Sequence, residues 1–159
     1  MVKDIRKGLP RLPVVGEAKR GPEGHLTYLL RQANASVRLA LDRALAKEDM
    51  THPQQSVLTM IRAYEAVSAA DLARLTMLTP QTINGIVRAL ELRGAIRKEP
   101  DRVHGRILRL LITDEGRELN KRCRALTSPI EAALQARMSA DTEEAIRQWL
   151  VDVAKAFLE

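Results

Sequence analysis

The chain has 159 residues, a formal net charge of +6 and one cysteine, and 45% of its residues are hydrophobic and 29% charged. This composition is typical of one globular domain, and no apolar run approaches the ~20 residues of a membrane span. We expect no signal peptide, because the N-terminus alternates charges with prolines, and the lone cysteine fits a reducing cytoplasm. The positive charge favours a polyanionic partner, although charge alone does not separate nucleic acid from an anionic membrane.

Residues 1–22 are predicted to form a basic arm, and residues 23–159 a single domain. Six basic residues outnumber two acidic ones between Met1 and Arg20, without helical periodicity. The arm is read as a disordered tail, a source of extra phosphate contacts or a strap across a dimer.

Two helices are predicted next, over residues 24–48 and from Thr51 to Tyr64. The first carries apolar residues at alternating intervals of four and three, the rhythm of a packing seam. This seam comprises Leu26, Leu30, Ala33, Val37, Ala40 and Ala44. The second has Thr51 as its cap and Pro53 in its first turn. Its core-facing residues are expected to be Val57, Leu58 and Ile61.

A pair of short capped helices follows. Ser68 is a good N-cap with Asp71 three residues later, and Leu72 and Leu75 are expected to be buried. The next helix starts with Thr79 as N-cap and Pro80 at the first helical position, and Gly94 is its expected stop. Its apolar stripe comprises Ile83, Ile86, Val87 and Leu90.

The opposite face of that second helix is polar. Gln81, Gly85 and Arg88 cluster there, with Thr82 and Asn84 on the flanks. Gln and Asn pair with adenine, Arg pairs with guanine or phosphate, and a glycine lets the backbone approach a groove. An isolated helix of this kind would be an ordinary amphipathic surface helix, but its neighbours favour DNA recognition.

A basic β-hairpin is predicted after the helix pair, with strands at Ala95–Glu99 and Arg106–Ile112. Leu108, Leu110 and Ile112 are expected on one face of the second strand. The hairpin's basic residues are Arg97, Lys98, Arg102, Arg106 and Arg109. Such a charged hairpin is either a solvated face or, beside a recognition helix, a grip on the DNA backbone or minor groove.

The C-terminal part is predicted to hold two more helices, capped by Thr113 and Ser139. Pro129 is expected to bend the first of them. The second carries one apolar stripe, made of Ile146, Trp149, Leu150, Val153 and Phe157. This stripe packs either on a partner subunit or on the chain's own first helix.

These elements together resemble the MarR family of bacterial transcriptional regulators. The matching segments are LARLTMLTPQTINGIVRALELRGAIRK and RILRLLIT followed by DEGREL. The resemblance implies a mainly α fold with two parts. One is a winged helix-turn-helix DNA-binding lobe at about residues 52–113. The other is a dimerisation lobe of helices at about residues 24–48 and 114–158.

The resemblance also implies site residues. The family wing usually carries an Asp-x-Arg triplet, and Arg106 lies seven residues before Thr113, as the family arginine does. His104 stands where the acid is expected. The predicted DNA-contacting residues are Thr79, Gln81, Thr82, Asn84, Gly85, Arg88, Arg102, His104 and Arg106.

The partners implied by the resemblance are double-stranded DNA with a palindromic operator, a second copy of the chain and a small aromatic or phenolic effector. Tyr28, Arg31, Met60 and Tyr64 are predicted to line the effector site, with Arg31 meeting an acid. The protein is then a homodimeric regulator, a repressor by preference. The alternatives are a constitutive DNA-architectural protein, a protein-binding winged helix or a cysteine redox sensor.

Catalytic and metal sites are not expected. His25, His52 and His104 lie in separate elements, and no phosphate loop, nucleophile elbow or paired carboxylate motif is present. Cys123 lies on an apolar stripe, where a free cysteine usually packs. No cofactor and no enzyme activity are predicted.

Overall fold

The computed structural model describes residues 12–101, 103, 105 and 107–157. The helices are α1 Leu26–Leu45, α2 His52–Ala63, α3 Ala69–Thr76, α4 Pro80–Leu92, α5 Asp114–Gln135 and α6 Ala140–Ala156. Strands β1 (Ile96–Pro100) and β2 (Leu108–Ile112) pair antiparallel, with Ile96 opposite Ile112. Short 3-10 turns cover Ala18–Arg20 and Ala46–Glu48. The predicted mainly α fold with a winged helix-turn-helix is confirmed.

The predicted boundaries of three elements and the predicted burial of one core residue are wrong. Helix α1 spans Leu26–Leu45 rather than 24–48, β1 starts one residue later than expected, and β2 begins at Leu108 rather than at Arg106. Element ends make few of the regular hydrogen bonds, so pattern alone places them poorly. Leu75 is 41% exposed, because only one side of the two-turn helix α3, the side of Leu72, rests on the core.

The chain divides into two compact units after Leu39. In the first unit, the segment before α1 is bonded to that helix through Arg20. The guanidinium of Arg20 donates from Nε to Gln32 Oε1 (3.2 Å) and from Nη1 to the Pro13 carbonyl (3.0 Å). Gln32 Nε2 donates back to the Arg20 carbonyl at 3.2 Å. Part of the predicted arm is therefore folded against α1, while its residues 1–11 lie outside the described residues.

The predicted helix caps are confirmed. In each case a hydroxyl oxygen accepts a backbone N–H of the first turn, which would otherwise lack a partner. These caps are Thr51 for α2, Ser68 for α3, Thr79 for α4, Thr113 for α5 and Ser139 for α6. Helix α4 ends as predicted, with Gly94 in the left-handed region at φ +70°. Helix α5 continues through Pro129.

The core of the second unit lies between α2, α3, α4 and the hairpin. Leu58, Leu72, Ile83 and Leu90 are buried together with Leu110 of β2. The predicted stripe of α4 is confirmed as its buried side. An isolated bridge between Val67 and Leu110 attaches the loop between α2 and α3 to the hairpin. The helix pair and the hairpin therefore share one core.

A junction around Thr113 joins the hairpin to α5. The Thr113 hydroxyl donates to the Gly94 carbonyl at 2.6 Å and accepts the Gly116 N–H at 3.0 Å. The Thr113 N–H donates to the Ala95 carbonyl at 3.1 Å. The end of α4, the start of β1 and the start of α5 are thus held by one residue.

Helices α2 and α5 meet along a polar seam. Gln55 Nε2 donates to Thr127 Oγ1 at 3.1 Å, and Asn120 Nδ2 donates to Thr59 Oγ1 at 3.3 Å. Asn120 is fully buried, and its Oδ1 has no hydrogen-bond partner in the described part of the chain. The register of the two helices is therefore set by specific polar pairs.

Gly116 is expected to be the least replaceable glycine in a helix. A Cβ at this position would lie 2.0 Å from the Ala95 carbonyl oxygen, so Gly116→Ala must push α5 away from β1. We expect a loss of about 1–3 kcal/mol in the free energy of unfolding, measured by urea denaturation. Gly85→Ala is the control, because nothing lies within 4 Å of its added Cβ, and it should gain about 0.5–1 kcal/mol. Equal effects of the two substitutions would contradict the tight contact at the junction.

Candidate nucleic-acid interface

The N-terminus of α4 is stabilised by a side-chain cap and a proline. Thr79 Oγ1 accepts the Thr82 N–H at 3.1 Å, and the two hydroxyls lie 2.8 Å apart. Pro80 at the first helical position needs no hydrogen-bond partner for its nitrogen. Both threonines, which were predicted to contact DNA, are exposed at the helix entrance. Thr79 therefore caps the helix, and the Thr82 hydroxyl is hydrogen-bonded to that cap.

The outer face of α4 carries exposed polar side chains. Gln81, Asn84 and Arg88 are exposed, and none of them has a hydrogen bond or ion pair with another described residue. Gly85 lies among them, with open space where a Cβ would be. The four residues predicted for this face are thus brought together on one surface, backed by the buried side of the same helix.

A cluster of charges around Asp71 connects α3 to the hairpin. The Asp71 carboxylate accepts from the Ser68 N–H (3.0 Å) and hydroxyl (2.7 Å), and from Arg74 Nη2 (2.7 Å). Arg109 Nη1 of β2 lies 3.6 Å away. Hydrogen bonds from Ser68, followed by that from Arg74, hold the pKa of the Asp71 carboxyl well below its usual range.

The described cations of the hairpin are paired with acids, and the predicted grip of the hairpin on DNA stays a prediction. Arg109 is 28% exposed, and its Nε lies 2.5 Å from Asp101 Oδ2. Lys98 Nζ lies 2.6 Å from Glu91 Oε2.

Arg97 also pairs, with Glu99 of its own strand. The bond between Asp101 and Arg109 was not predicted, because it joins residues that only the hairpin turn brings together. The predicted contacts Arg102, His104 and Arg106 lie outside the described residues.

The four predicted effector residues fall in different units. Tyr28 and Arg31 belong to the first, where the guanidinium carbon lies 5.3 Å from the Tyr28 ring centroid. Met60 and Tyr64 belong to the second. Met60 packs against the core, and Tyr64 is 51% exposed after the end of α2. A common lining formed by all four stays a prediction.

Cys123 is fully buried on α5. Burial, and then the negative charge of Glu48, raise the pKa of its thiol above the ordinary value. A thiolate is the reactive form of cysteine, so this environment disfavours rapid oxidation. Among the residues with described positions, no group of three or more His, Cys, Asp or Glu side chains could hold a metal ion. None of the helices in this part of the chain is long and apolar enough to cross a membrane.

An exposed polar helix, preceded by a short helix and followed by a hairpin on a common core, defines a winged helix-turn-helix DNA-binding protein. A sequence model of the MarR family matches residues 48–107. The HTH-type transcriptional repressor Rv2887 of Mycobacterium tuberculosis is 33% identical over 125 residues, which are 79% of this chain and 90% of that protein. The chain belongs to the MarR family of transcriptional regulators.

Solved structures agree with this assignment. The crystal structure of Rv2887 in complex with p-aminosalicylic acid matches with a TM-score of 0.66 at 30% identity, covering 82% of this chain and 99% of that one. CouR from Rhodococcus jostii, bound to p-coumaroyl-CoA, matches with a TM-score of 0.77 at 24% identity. That match covers 86% of this chain and 94% of CouR, and it shows the shared fold.

The Asp71 cluster is expected to make the fold sensitive to acid. A carboxylate whose pKa is lowered by folding stabilises the protein above its unfolded pKa, about 3.9, and this contribution is lost as the pH falls through the folded value. Asp71→Asn should therefore lower stability at neutral pH and flatten the decline below about pH 4. Chemical denaturation at a series of pH values measures both effects.

The control for this experiment is Asp152→Asn on α6. Its carboxylate accepts an exposed hydrogen bond from Gln148. This variant should keep the acid-dependent decline of the parent protein. If Asp71→Asn and the parent lose stability in parallel, the cluster does not contribute to acid sensitivity.

Proposed function

We propose that the protein is a ligand-responsive transcriptional repressor that binds a palindromic operator as a homodimer. The observation that carries this proposal is the outer face of α4, where Gln81, Asn84 and Arg88 are exposed and make no side-chain hydrogen bond or ion pair to another described residue. Such side chains are available to a partner. The opposite face of the helix is buried, so these side chains would be presented from a fixed support.

The chemistry of this face suits the edges of DNA bases. Gln81 and Asn84 carry amide groups that pair with the N6 and N7 atoms of adenine, and Arg88 has a fork for the O6 and N7 atoms of guanine. Gly85 between them removes the side chain that would hold the helix axis away from the groove floor. We assign α4 to the major groove.

The wing is assigned to flanking phosphates and the minor groove on a different basis. Arg102, His104 and Arg106 rest on the family resemblance of the sequence. Lys98, Arg109 and Arg97 are paired with acids. We therefore assign the contacts with phosphate and the minor groove to Arg102, His104 and Arg106 instead. Thr79 and Thr82 would hold the N-terminus of α4 in place. Their backbone N–H groups would then lie near a DNA phosphate.

A second copy of the chain is the proposed cover for α6. This helix has no buried residue, and Ile146, Trp149 and Leu150 are 39%, 43% and 44% exposed. Leu26 and Leu30 on α1 are 70% and 37% exposed. Apolar side chains at helical spacing on two helices are typical of an interface that is completed by association. A two-fold dimer would place two α4 helices about one DNA turn apart.

Repression and ligand control are carried over from the relatives. Rv2887, at 33% identity, is named a transcriptional repressor, and its structures contain p-aminosalicylic acid and salicylic acid. We therefore propose an aromatic acid as effector, with Tyr28, Arg31, Met60 and Tyr64 as candidate lining. Such a ligand acts only through different affinities for the two states of the dimer.

A constitutive DNA-architectural protein is the second candidate, since the same α4 face and basic charge would serve it. A footprint on the DNA flanking the gene separates the two candidates. Protection of two symmetric half-sites, released by salicylate, supports the repressor. Uniform protection that is insensitive to ligand supports the architectural protein.

Gln81→Ala tests the role of α4 in reading bases. We expect it to cost about 1–3 kcal/mol of binding free energy on the operator and to relax base preference at one position in each half-site. Fluorescence anisotropy with operator and scrambled duplexes measures both effects. Gln148→Ala on α6 is the matched control and should leave the two affinities unchanged. If the Gln81→Ala variant and the parent bind the operator with equal affinity, Gln81 does not read a base.

Trp149, the only tryptophan, reports on the dimer. Because it is 43% exposed in a single chain, covering it in a dimer should shift its emission to the blue. Leu150→Glu should shift the emission to the red and yield a monomer in light scattering, since a charge on the apolar stripe opposes association. Leu92→Glu, at a position 80% exposed on α4, is the control and should remain dimeric. A parent protein that is monomeric at micromolar concentration would contradict the two-fold operator.

A further inference from the structure

An open groove of about 370 Å³ lies on the surface between α2 and α5, and four of its five lining residues are cationic. Its lining consists of Arg62, Arg117, Glu118, Lys121 and Arg124. Four positive charges therefore meet one negative charge in a concave site, which we name the basic groove. None of these residues belongs to the α4 face or to the candidate effector lining.

The packing of the two helices places the backbones of these residues side by side. Arg117, Lys121 and Arg124 are spaced at i, i+4 and i+7, so they follow one face of α5. Arg62 approaches from the last turn of α2. The hydrogen bond between Asn120 and Thr59, one turn from these residues, holds the two helices in register.

The cations of the groove have little compensation inside the protein. The guanidinium groups of Arg62 and Arg124 have no hydrogen bond or ion pair to any residue that the structure describes. Arg117 lies 3.9 Å from Asp114, and Lys121 lies 4.0 Å from Glu118.

Both of these ion pairs are exposed and at the outer limit of such contacts, so each contributes little. Glu65 is the acid that lines the neighbouring cavity, which also contains Arg62 and Arg117. The groove therefore keeps an excess of positive charge even with its neighbour included. The cations of the hairpin differ, because there Lys98 and Arg109 lie 2.6 and 2.5 Å from their acids.

The geometry points to the basic groove as a binding site for a small multivalent oxyanion, such as a phosphate ester or a polycarboxylate. Arginine forks bind the oxygens of phosphate and carboxylate in pairs, and several cations favour a ligand with more than one charge. A concave space of this size between two helices admits a small molecule. A bound anion would also relieve the repulsion among the four cations and connect α2 to α5. The proposed site shares no lining residue with the candidate effector site or with the outer face of α4.

Pyrophosphate binding tests the proposal on the full-length protein without DNA. Inorganic pyrophosphate should raise the melting temperature above that in sodium chloride of equal ionic strength, because a ligand that binds only the folded state stabilises it. Calorimetric titration of the double variant Arg62→Gln, Arg124→Gln should show affinity reduced about tenfold or more. The control Arg43→Gln, Arg137→Gln removes the same charge outside the groove and should bind within about twofold of the parent. Citrate, titrated in parallel, shows whether polycarboxylates share the site.

Two results would overturn the proposal. One is equal pyrophosphate affinity in the parent, the groove variant and the control, which would indicate unspecific ion binding. The other is a groove variant that loses affinity for duplex DNA but keeps its affinity for pyrophosphate, which would assign these cations to the DNA surface. Removal of repelling charges should not unfold the variant, and its melting temperature without anion verifies this.

Discussion

The Thr113 junction is the contact on which the arrangement of this protein depends. One hydroxyl accepts from the first turn of α5 and donates to the carbonyl of Gly94, two residues after the end of α4. Gly116 has only a hydrogen where any side chain would strike the Ala95 carbonyl. The orientation of α4 is therefore tied to α5, and α5 is tied in turn to α2 by the pair of Asn120 and Thr59.

The two faces of helix α4 have different roles: the buried face stabilises the fold, and the exposed face is the proposed DNA-reading surface. Its apolar side, which includes Ile83 and Leu90, is in the core and supplies the free energy that holds the helix. Its outer side chains Gln81, Asn84 and Arg88 make no side-chain hydrogen bond or ion pair to another described residue. Substituting them is therefore expected to cost little free energy of folding, which suits the proposed role of this face in reading DNA. Helix α3 is different, because the carboxylate of Asp71 accepts hydrogen bonds from Ser68, the N-cap residue, and from Arg74.

The net charge of the chain gives no information on where cations are available. Among the described residues of the hairpin, Lys98 and Arg109 lie next to acids that offset their charges. On α5, three cations at helical spacing meet Arg62 of α2 with little compensation. The property that suits a surface to an anionic partner is the number of cations without a nearby acid, rather than the total positive charge.

The sequence by itself determined the order of the elements, the five helix caps, the buried stripe of α4 and the identity of its outer face. These features depend on local hydrogen bonding and on helical periodicity, which a reader can count along the chain. The pairing of Arg109 with Asp101, the exposure of Leu75, the lack of space at Gly116 and the meeting of Arg62 with α5 were decided only by the tertiary structure. Each of them depends on the distance between residues that are remote in sequence or brought together by a turn, and such distances are set by packing rather than by local pattern.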